Sequence, residues 1–394
     1  MSFNSTPSAE RVHIGFFGLR NAGKSSVVNA VTAQELSLVS DVKGTTTDPV
    51  RKAMELLPIG PVVIIDTPGT DDEGALGEQR VKRAMKTLDE TDIAVLVIDA
   101  EKGETQADEE LKKLITERKI PLITVYNKAD LLPAVPTAGE NTLYVSAASG
   151  TNIFELKEML GRIAADGKKE KRLIGDLLQK DDIVVLVTPI DESAPKGRMI
   201  LPQQQTIRDV LDSDAVCLVT KETQLETLLS SLPKKPRLVV TDSQAFGFVN
   251  KVVPKDIPLT SFSMLFARYK GDLFALADGA DTLDKLRDGD RVLISEGCTH
   301  HRQCNDIGTV KLPNWVKKYT DRNIVFDFTS GRDFPEDVSE YSLVIHCGGC
   351  MLNDAEISSR AKRAKAQGVP MTNYGTAIAK MHGILERAIK PLKK

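Results

Sequence analysis

Two sets of residues in this chain have the types and spacing to do chemistry. The first is Gly18-Leu19-Arg20-Asn21-Ala22-Gly23-Lys24-Ser25, followed by the helical pattern Val27–Val31. Glycines there let backbone N–H groups and a helix N-terminus point at an anion, with Ser26 on the same first turn. Lys24 adds a charge near terminal phosphate oxygens, and the Ser25 hydroxyl suits Mg²⁺. The second set is Cys298-Thr299-His300 together with His346-Cys347-Gly348-Gly349-Cys350. It offers three thiolates and several imidazoles, with Glu296 close by, and thiolates are ligands for soft cations.

Further residues extend the first set. Asp66-Thr67-Pro68-Gly69 ends an apolar run, where Asp66 suits the magnesium shell and the Gly69 N–H suits a γ-phosphate. Asn127-Lys128-Ala129-Asp130 follows another apolar run. The Asp130 carboxylate accepts two N–H donors that guanine presents and adenine does not, so GTP and GDP are the expected ligands. Ser146 and Ala147 would close the base pocket with backbone N–H groups. Thr45 and Thr46, within Lys43–Asp48, suit a switch loop ordered around Mg²⁺, with Thr47 an equal candidate.

For the second set the ligand types leave the metal open. Three cysteines and a histidine form a common closed zinc arrangement, and three cysteines with an open position equally suit a [4Fe–4S] cluster. Cys298 and Cys347 each follow an apolar, strand-like run, where ligands of an open parallel sheet gather. Cys350 lies just before a helix expected from about Asp354 to Gln367, capped by Asn353 and ended by Gly368. Cys304 reads as a spare buried thiol. Tyr319 and Arg322 read either as pocket or as surface residues, and His13 and His382 as structural.

The elements that must position these residues form an α/β pattern. Expected strands are Val12–Phe17, Pro61–Ile65, Ile93–Ile98, Leu122–Tyr126 and Thr142–Val145, separated by helical segments, as in a parallel sheet covered by helices. A charged stretch, Asp166–Arg172, reads as a linker. Beyond it, Ile183–Thr188, Ala215–Thr220 and Arg237–Thr241 are β-rich. Leu225, Leu228, Leu229 and Leu232 mark one apolar helix stripe ended by Pro233. Arg291–Ser295, Asn323–Phe328 and Ser342–His346 are the strands of a third region that starts near Ser261. No internal repeat is visible in the sequence.

Composition bounds the rest. The 394 residues carry 52 Lys+Arg against 55 Asp+Glu, a net charge of −3 that lacks the basic excess of a general nucleic-acid binder. No apolar run approaches the roughly 18 residues needed to span a bilayer, and the polar N-terminus shows no secretory signal, so a cytoplasmic location without membrane or nucleic-acid partners is expected.

The nucleotide motifs, in order over about residues 12–165, resemble those of translation-factor-like GTPases, most closely the branch containing Era and the tRNA-modification GTPases. Thr70 stands where Ras-like patterns place a water-positioning glutamine, so slow intrinsic hydrolysis is expected. Asn21 matches the residue with which the tRNA-modification branch binds K⁺, implying potassium-stimulated hydrolysis; the other reading is a loop residue bonded to its own backbone.

With Asn4–Pro7 and Gly44–Pro49 added to the cysteine set, the whole chain is similar to the [FeFe]-hydrogenase maturation GTPases, the HydF family. That resemblance implies a P-loop GTPase domain at 1–165 followed by two smaller α/β domains, a dimerisation domain at 166–260 and an iron–sulfur cluster-binding domain at 261–394. It implies a homodimer that holds a [4Fe–4S] cluster on Cys298, Cys347 and Cys350, with Glu296, His300 and His346 competing for the fourth position against an exchangeable or absent protein ligand. The cargo would be a di-iron precursor, the partners radical-SAM maturation proteins and apo-[FeFe]-hydrogenase. An RNA- or ribosome-associated Era-like GTPase with a structural zinc domain is the alternative. The 5% aromatic content and the lack of a KH or RRM signature speak against it.

Overall fold

A computed structural model describes residues 6–34, 49–68, 84–137, 139–167, 171–189, 199–297 and 306–393. The chain divides into two compact units, Met1–Lys169 and Glu170–Lys394, and the division falls inside the charged stretch read as a linker.

Among the described residues the first unit holds six strands: β1 (Val12–Phe17), β2 (Val50–Leu56), β3 (Gly60–Asp66), β4 (Ile93–Asp99), β5 (Leu122–Asn127) and β6 (Thr142–Tyr144). They lie in the order β2-β3-β1-β4-β5-β6, all parallel except β2. The apolar runs are continuous because both faces of the sheet are covered. Val95 and Val97 of β4 join a core with Val27, Val28 and Val31 of α1 (Lys24–Thr32) and Leu156 and Leu160 of α3 (Ile153–Gly167). Ala94, Leu96 and Ile98 face the other way, against Leu111 and Ile115 of α2 (Gln106–Glu117). Strand β2 has no counterpart in the sequence reading. It is an edge strand whose residues are mostly exposed, with Arg51, Lys52 and Glu55 among them, so it lacks the apolar signal of the buried strands.

The second unit contains two four-stranded parallel sheets. One consists of β7 (Ile183–Val187), β8 (Val216–Thr220), β9 (Leu238–Thr241) and β10 (Leu259–Ser261), in the order β10-β9-β7-β8. The other consists of β11 (Arg291–Ser295), β12 (Val325–Thr329), β13 (Leu343–His346) and β14 (Met371–Asn373), in the order β12-β11-β13-β14. The two orders are the same when read from opposite edges, a duplication of topology with no visible counterpart in sequence. Each sheet reverses its winding between its first and third strands, the kind of crevice where open parallel sheets bind ligands. Strand β10 occupies Ser261, the residue at which the third region was expected to start, and pairs in the second sheet.

One apolar core joins the two sheets. It contains Val184 and Val240 from one, Val292 and Ile345 from the other, and Leu265 and Phe266 of the helix between them, Phe262–Lys270. The remaining helices of this unit include α4 (Leu201–Leu211), α5 (Leu225–Ser231) and α6 (Phe246–Val252), then Phe262–Lys270 as α7 and Leu273–Ala280 as α8. They continue with α9 (Leu312–Thr320), α10 (Asp354–Ala366), α11 (Tyr374–Met381) and α12 (Leu385–Ile389). The expected leucine stripe lies on α5, with Leu225 buried and Leu228, Leu229 and Leu232 packed on the shared core. Asn353 caps α10 by accepting from the Glu356 N–H, as expected. Among the described residues no helix is long and apolar enough to cross a membrane.

The chain's one tryptophan, Trp315 on α9, packs on the shared core and reports it from the side of the third sheet. Leu265→Ala, a truncation on α7, lowers the unfolding free energy read from urea titration of Trp315 fluorescence by roughly 2–5 kcal/mol and moves the midpoint down with it. An unchanged midpoint would mean that the core is not shared.

Candidate functional site

In the first unit the strand registers bring the nucleotide residues to one rim. Phe16 pairs with Asp66 and Asp99 with Asn127, so the loops after β1, β3, β4 and β5 all open at the carboxyl edge of the sheet. Gly23 precedes α1 at φ +85°, and a Cβ there would lie 2.2 Å from Asn127 Nδ2. Only glycine meets both demands. Lys24 Nζ donates to the carbonyls of Gly18 and Leu19 at 3.0 and 2.7 Å, which holds its charge inside the loop. Ser25 Oγ donates to Asp66 Oδ2 at 2.8 Å, while Asp66 Oδ1 is buried with no hydrogen-bond partner. A buried, unsatisfied carboxylate oxygen beside a hydroxyl is a donor set that fits Mg²⁺.

Asn127 ties the base loop to the phosphate loop. Its Nδ2 donates to Ala22 O at 3.1 Å, and its Oδ1 accepts from the Ala147 N–H at 3.1 Å. Lys128 Nζ donates to Asp99 Oδ2 at 2.6 Å. Burial pulls Asp99 upward, but the Lys128 hydrogen bond, the Glu101 N–H and nearby lysine charge together hold it below the usual carboxylate range. Asp130 is exposed next to this network, and Ser146 is fully buried with its hydroxyl accepting from the Ser149 N–H. Asn21 is exposed at φ +61°. Thr45, Thr46 and Gly69 lie outside the described residues.

In the second unit Cys347 lies at the crevice between β11 and β13. Gly297, one residue past Glu296 at the end of β11, donates its N–H to Cys347 Sγ at 3.0 Å, and the Gly349 N–H donates to the same sulfur at 3.3 Å. Two N–H donors on one sulfur favour a thiolate bound to a cation. Burial pushes the Cys347 thiol up to about 11 and raises Cys350 as well, whereas a bound cation acts in the opposite sense. Gly349 sits at φ +63°, and a Cβ there would lie 2.4 Å from Ile357 Cδ1 on α10. Cys298 is the next residue after Gly297 in sequence; it, His300 and Cys304 lie outside the described residues. Among the described residues no group of three His, Cys, Asp or Glu side chains forms a metal site.

Of the competitors for the fourth ligand, His346 has both ring nitrogens engaged. Nδ1 meets Cys347 O at 2.7 Å, and Nε2 meets Arg360 Nη1 at 3.0 Å. Burial, reinforced by the Arg360 charge, pushes His346 down to about 3, so its ring is neutral. Glu296 is buried and accepts from the Tyr374 hydroxyl at 3.2 Å. Tyr319 and Arg322 take the surface alternative: the Tyr319 hydroxyl donates to Asp284 at 2.7 Å, and Arg322 pairs with Asp288 at 3.6 Å. His13 is structural, with its ring held between Glu90 O and Ser8 O.

Sequence reasoning missed Arg360, Tyr374 and Lys270, which surround the cysteine loop. Arg360 is buried and donates to Gly331 O at 2.7 Å, Glu356 Oε1 at 2.5 Å and Ser295 Oγ at 3.3 Å. Its i, i+4 spacing from Glu356 on α10 was the one available signal. Lys270 and Tyr374 come from distant helices and carry none.

A phosphate loop tied to an Asn-Lys-x-Asp run is the working part of a P-loop GTPase, and residues 13–128 match the family model described as "50S ribosome-binding GTPase". The remainder of the chain is more particular. Residues 173–271 match the "Hydrogen maturase F dimerization domain" and residues 273–391 the "Hydrogen maturase F tetramerization domain", so both matched domains are ones that oligomerise. Together they cover more than half of the sequence, and the chain belongs to the hydrogen maturase F family of hydrogenase-maturation GTPases. The two matches meet beyond the expected boundary at 260 and 261, on the far side of α7.

Curated relatives match the GTPase part. The tRNA modification GTPase MnmE of Nitrosomonas europaea is 34% identical over 160 residues, 39% of this chain and 35% of that protein. GTPase Der of Kosmotoga olearia is 31% identical over 179 residues, 41% and 40% of the two chains. The chain thus spans about a third of the length of the curated relatives it matches. Among solved structures, Aquifex aeolicus Era bound to GDP·AlF4⁻ aligns with 53% of this chain and 93% of its own, at 19% identity and a TM-score of 0.35.

Gly23→Ala, which strains the backbone and crowds Asn127, weakens binding of a fluorescent GDP analogue on the order of tenfold or more. Full affinity in that variant would show that the loop does not need its left-handed turn.

Proposed function

We propose that this GTPase is a cytoplasmic scaffold and carrier, which holds an iron–sulfur cluster and a di-iron precursor and delivers the precursor to apo-[FeFe]-hydrogenase. The observation that carries this reading is the Gly297 N–H to Cys347 Sγ hydrogen bond. It joins the ends of β11 and β13 at the point where the chain continues into Cys298. Cys298, Cys347 and Cys350 would hold the cluster, with N–H donors of Gly297 and Gly349 sharing the charge on sulfur. A bound [4Fe–4S] cluster supplies iron with a coordination place open to exchange. Glu296, His300 or an exchangeable group would take the fourth position, since both His346 nitrogens are already engaged. Residues 166–260 would form the homodimer and 261–394 the cluster domain, with radical-SAM maturation proteins as suppliers of the cargo.

At the nucleotide site, Lys24 and the N–H groups of the loop would bind the phosphates, and Ser25 with Asp66 would hold Mg²⁺. The unsatisfied Asp66 Oδ1 supports that assignment. Thr45 or Thr46 and Gly69 would sense the γ-phosphate. Asn21, exposed in the loop, would bind K⁺, and Thr70 in place of a glutamine keeps hydrolysis slow. GTP turnover would change association with the maturation partners or release of the cargo.

Anaerobic purification with iron, sulfide and zinc analysis, followed by EPR after reduction, tests the carrier reading. Iron and sulfide in near-equal amounts are expected, and Cys347→Ser loses most of both. Zinc without sulfide would remove the carrier reading and leave a zinc-stabilised GTPase. Lys24→Ala abolishes hydrolysis and leaves iron content unchanged, because loop and cysteines lie in different units. A parallel fall in iron would contradict that separation, and equal rates in Na⁺ and K⁺ would remove the potassium role.

A further inference from the structure

Lys270, the last residue of α7, is buried at 7% exposure and comes from the sequence matched as the dimerization domain. Its Nζ donates to Gly349 O at 2.9 Å and Leu352 O at 2.6 Å, the two ends of the loop that contains Cys350. It also lies 5.9 Å from the centre of the Phe266 ring. Removing an ammonium from water is costly, and the two carbonyl acceptors fix where this one sits. Apolar surroundings magnify its attraction for any nearby anion.

We propose that Lys270 is a positioning residue of the cysteine crevice: it grips the Gly349–Leu352 loop and supplies the positive charge that favours an anionic occupant. Resting on the carrier reading above, that occupant is a thiolate-ligated iron–sulfur cluster. Such a cluster gains negative charge on reduction, so a fixed cation beside it stabilises the reduced form and raises the potential. A lysine that merely filled space would tighten the loop without moving the potential.

The test uses the full chain, anaerobically reconstituted with iron and sulfide. Lys270→Gln keeps N–H donors for the two carbonyls and removes the charge; Lys270→Arg keeps the charge. Trp315 unfolding and GDP binding confirm that each variant is folded, and Lys270→Met replaces Lys270→Gln if the latter does not fold. Retention of iron against a chelator is expected to weaken about tenfold in Lys270→Gln, the usual cost of losing an outer partner of a metal site. Its EPR-monitored midpoint potential shifts to a more negative value, and Lys270→Arg restores both. Unchanged retention and potential in folded Lys270→Gln overturn the proposal while leaving the carrier reading intact. A wild-type chain that takes up no iron and sulfide overturns both.

Discussion

Parallel strands joined by crossovers deliver every strand-to-helix loop to the same edge of the sheet, and both sites of this protein depend on that constraint. In the first unit it aligns the loop after β1 with Asp66, Asp99 and Asn127 along one rim. In the second it brings Gly297, after β11, to within hydrogen-bonding distance of Cys347, after β13, although fifty residues separate them in sequence. Neither site could be assembled by a meander, whose hairpins send successive loops to opposite edges.

The cysteine crevice is supported by polar groups as buried as the surrounding core. Arg360 draws together the ends of three strands, through Ser295 on β11, His346 on β13 and Gly331 beyond β12. Such a network is rigid only if its members are partnered, since an unpaired group in this environment costs more than a surface one. The neutral imidazole of His346 fits this role, because a second cation beside Arg360 would be repelled. Lys270 reaches the same crevice from α7, so the domain matched as a dimerization module contributes directly to the shape of the cysteine loop. The apolar core common to both sheets makes this reach mechanically sound.

The family model of a GTPase matches the first unit, and the tRNA modification GTPase of Nitrosomonas europaea aligns with 39% of this chain. What distinguishes this chain lies after it, where two parallel sheets of the same winding follow one another and only the second carries cysteines in its crevice.

Much of this was legible in the chain itself. Buried parallel strands carry unbroken apolar runs, so β1, β4, β5 and β11 stand out in the sequence, and the phosphate loop and Asn-Lys-x-Asp run declare themselves because their chemistry needs consecutive residues. Cys347 and Cys350 are legible for the same reason. Strand β2 was hidden because an exposed edge strand has no apolar signal, and β10 and β14 because three residues are too few to show a period. Lys270, Arg360 and Tyr374 were invisible as site residues because their meaning comes from neighbours 79, 65 and 78 positions away. Local sequence thus determined which chemical groups the chain carries and the elements that hold them. The tertiary fold alone decided which buried charges surround the cysteines, since desolvation and pairing are properties of a packed environment and not of any one residue.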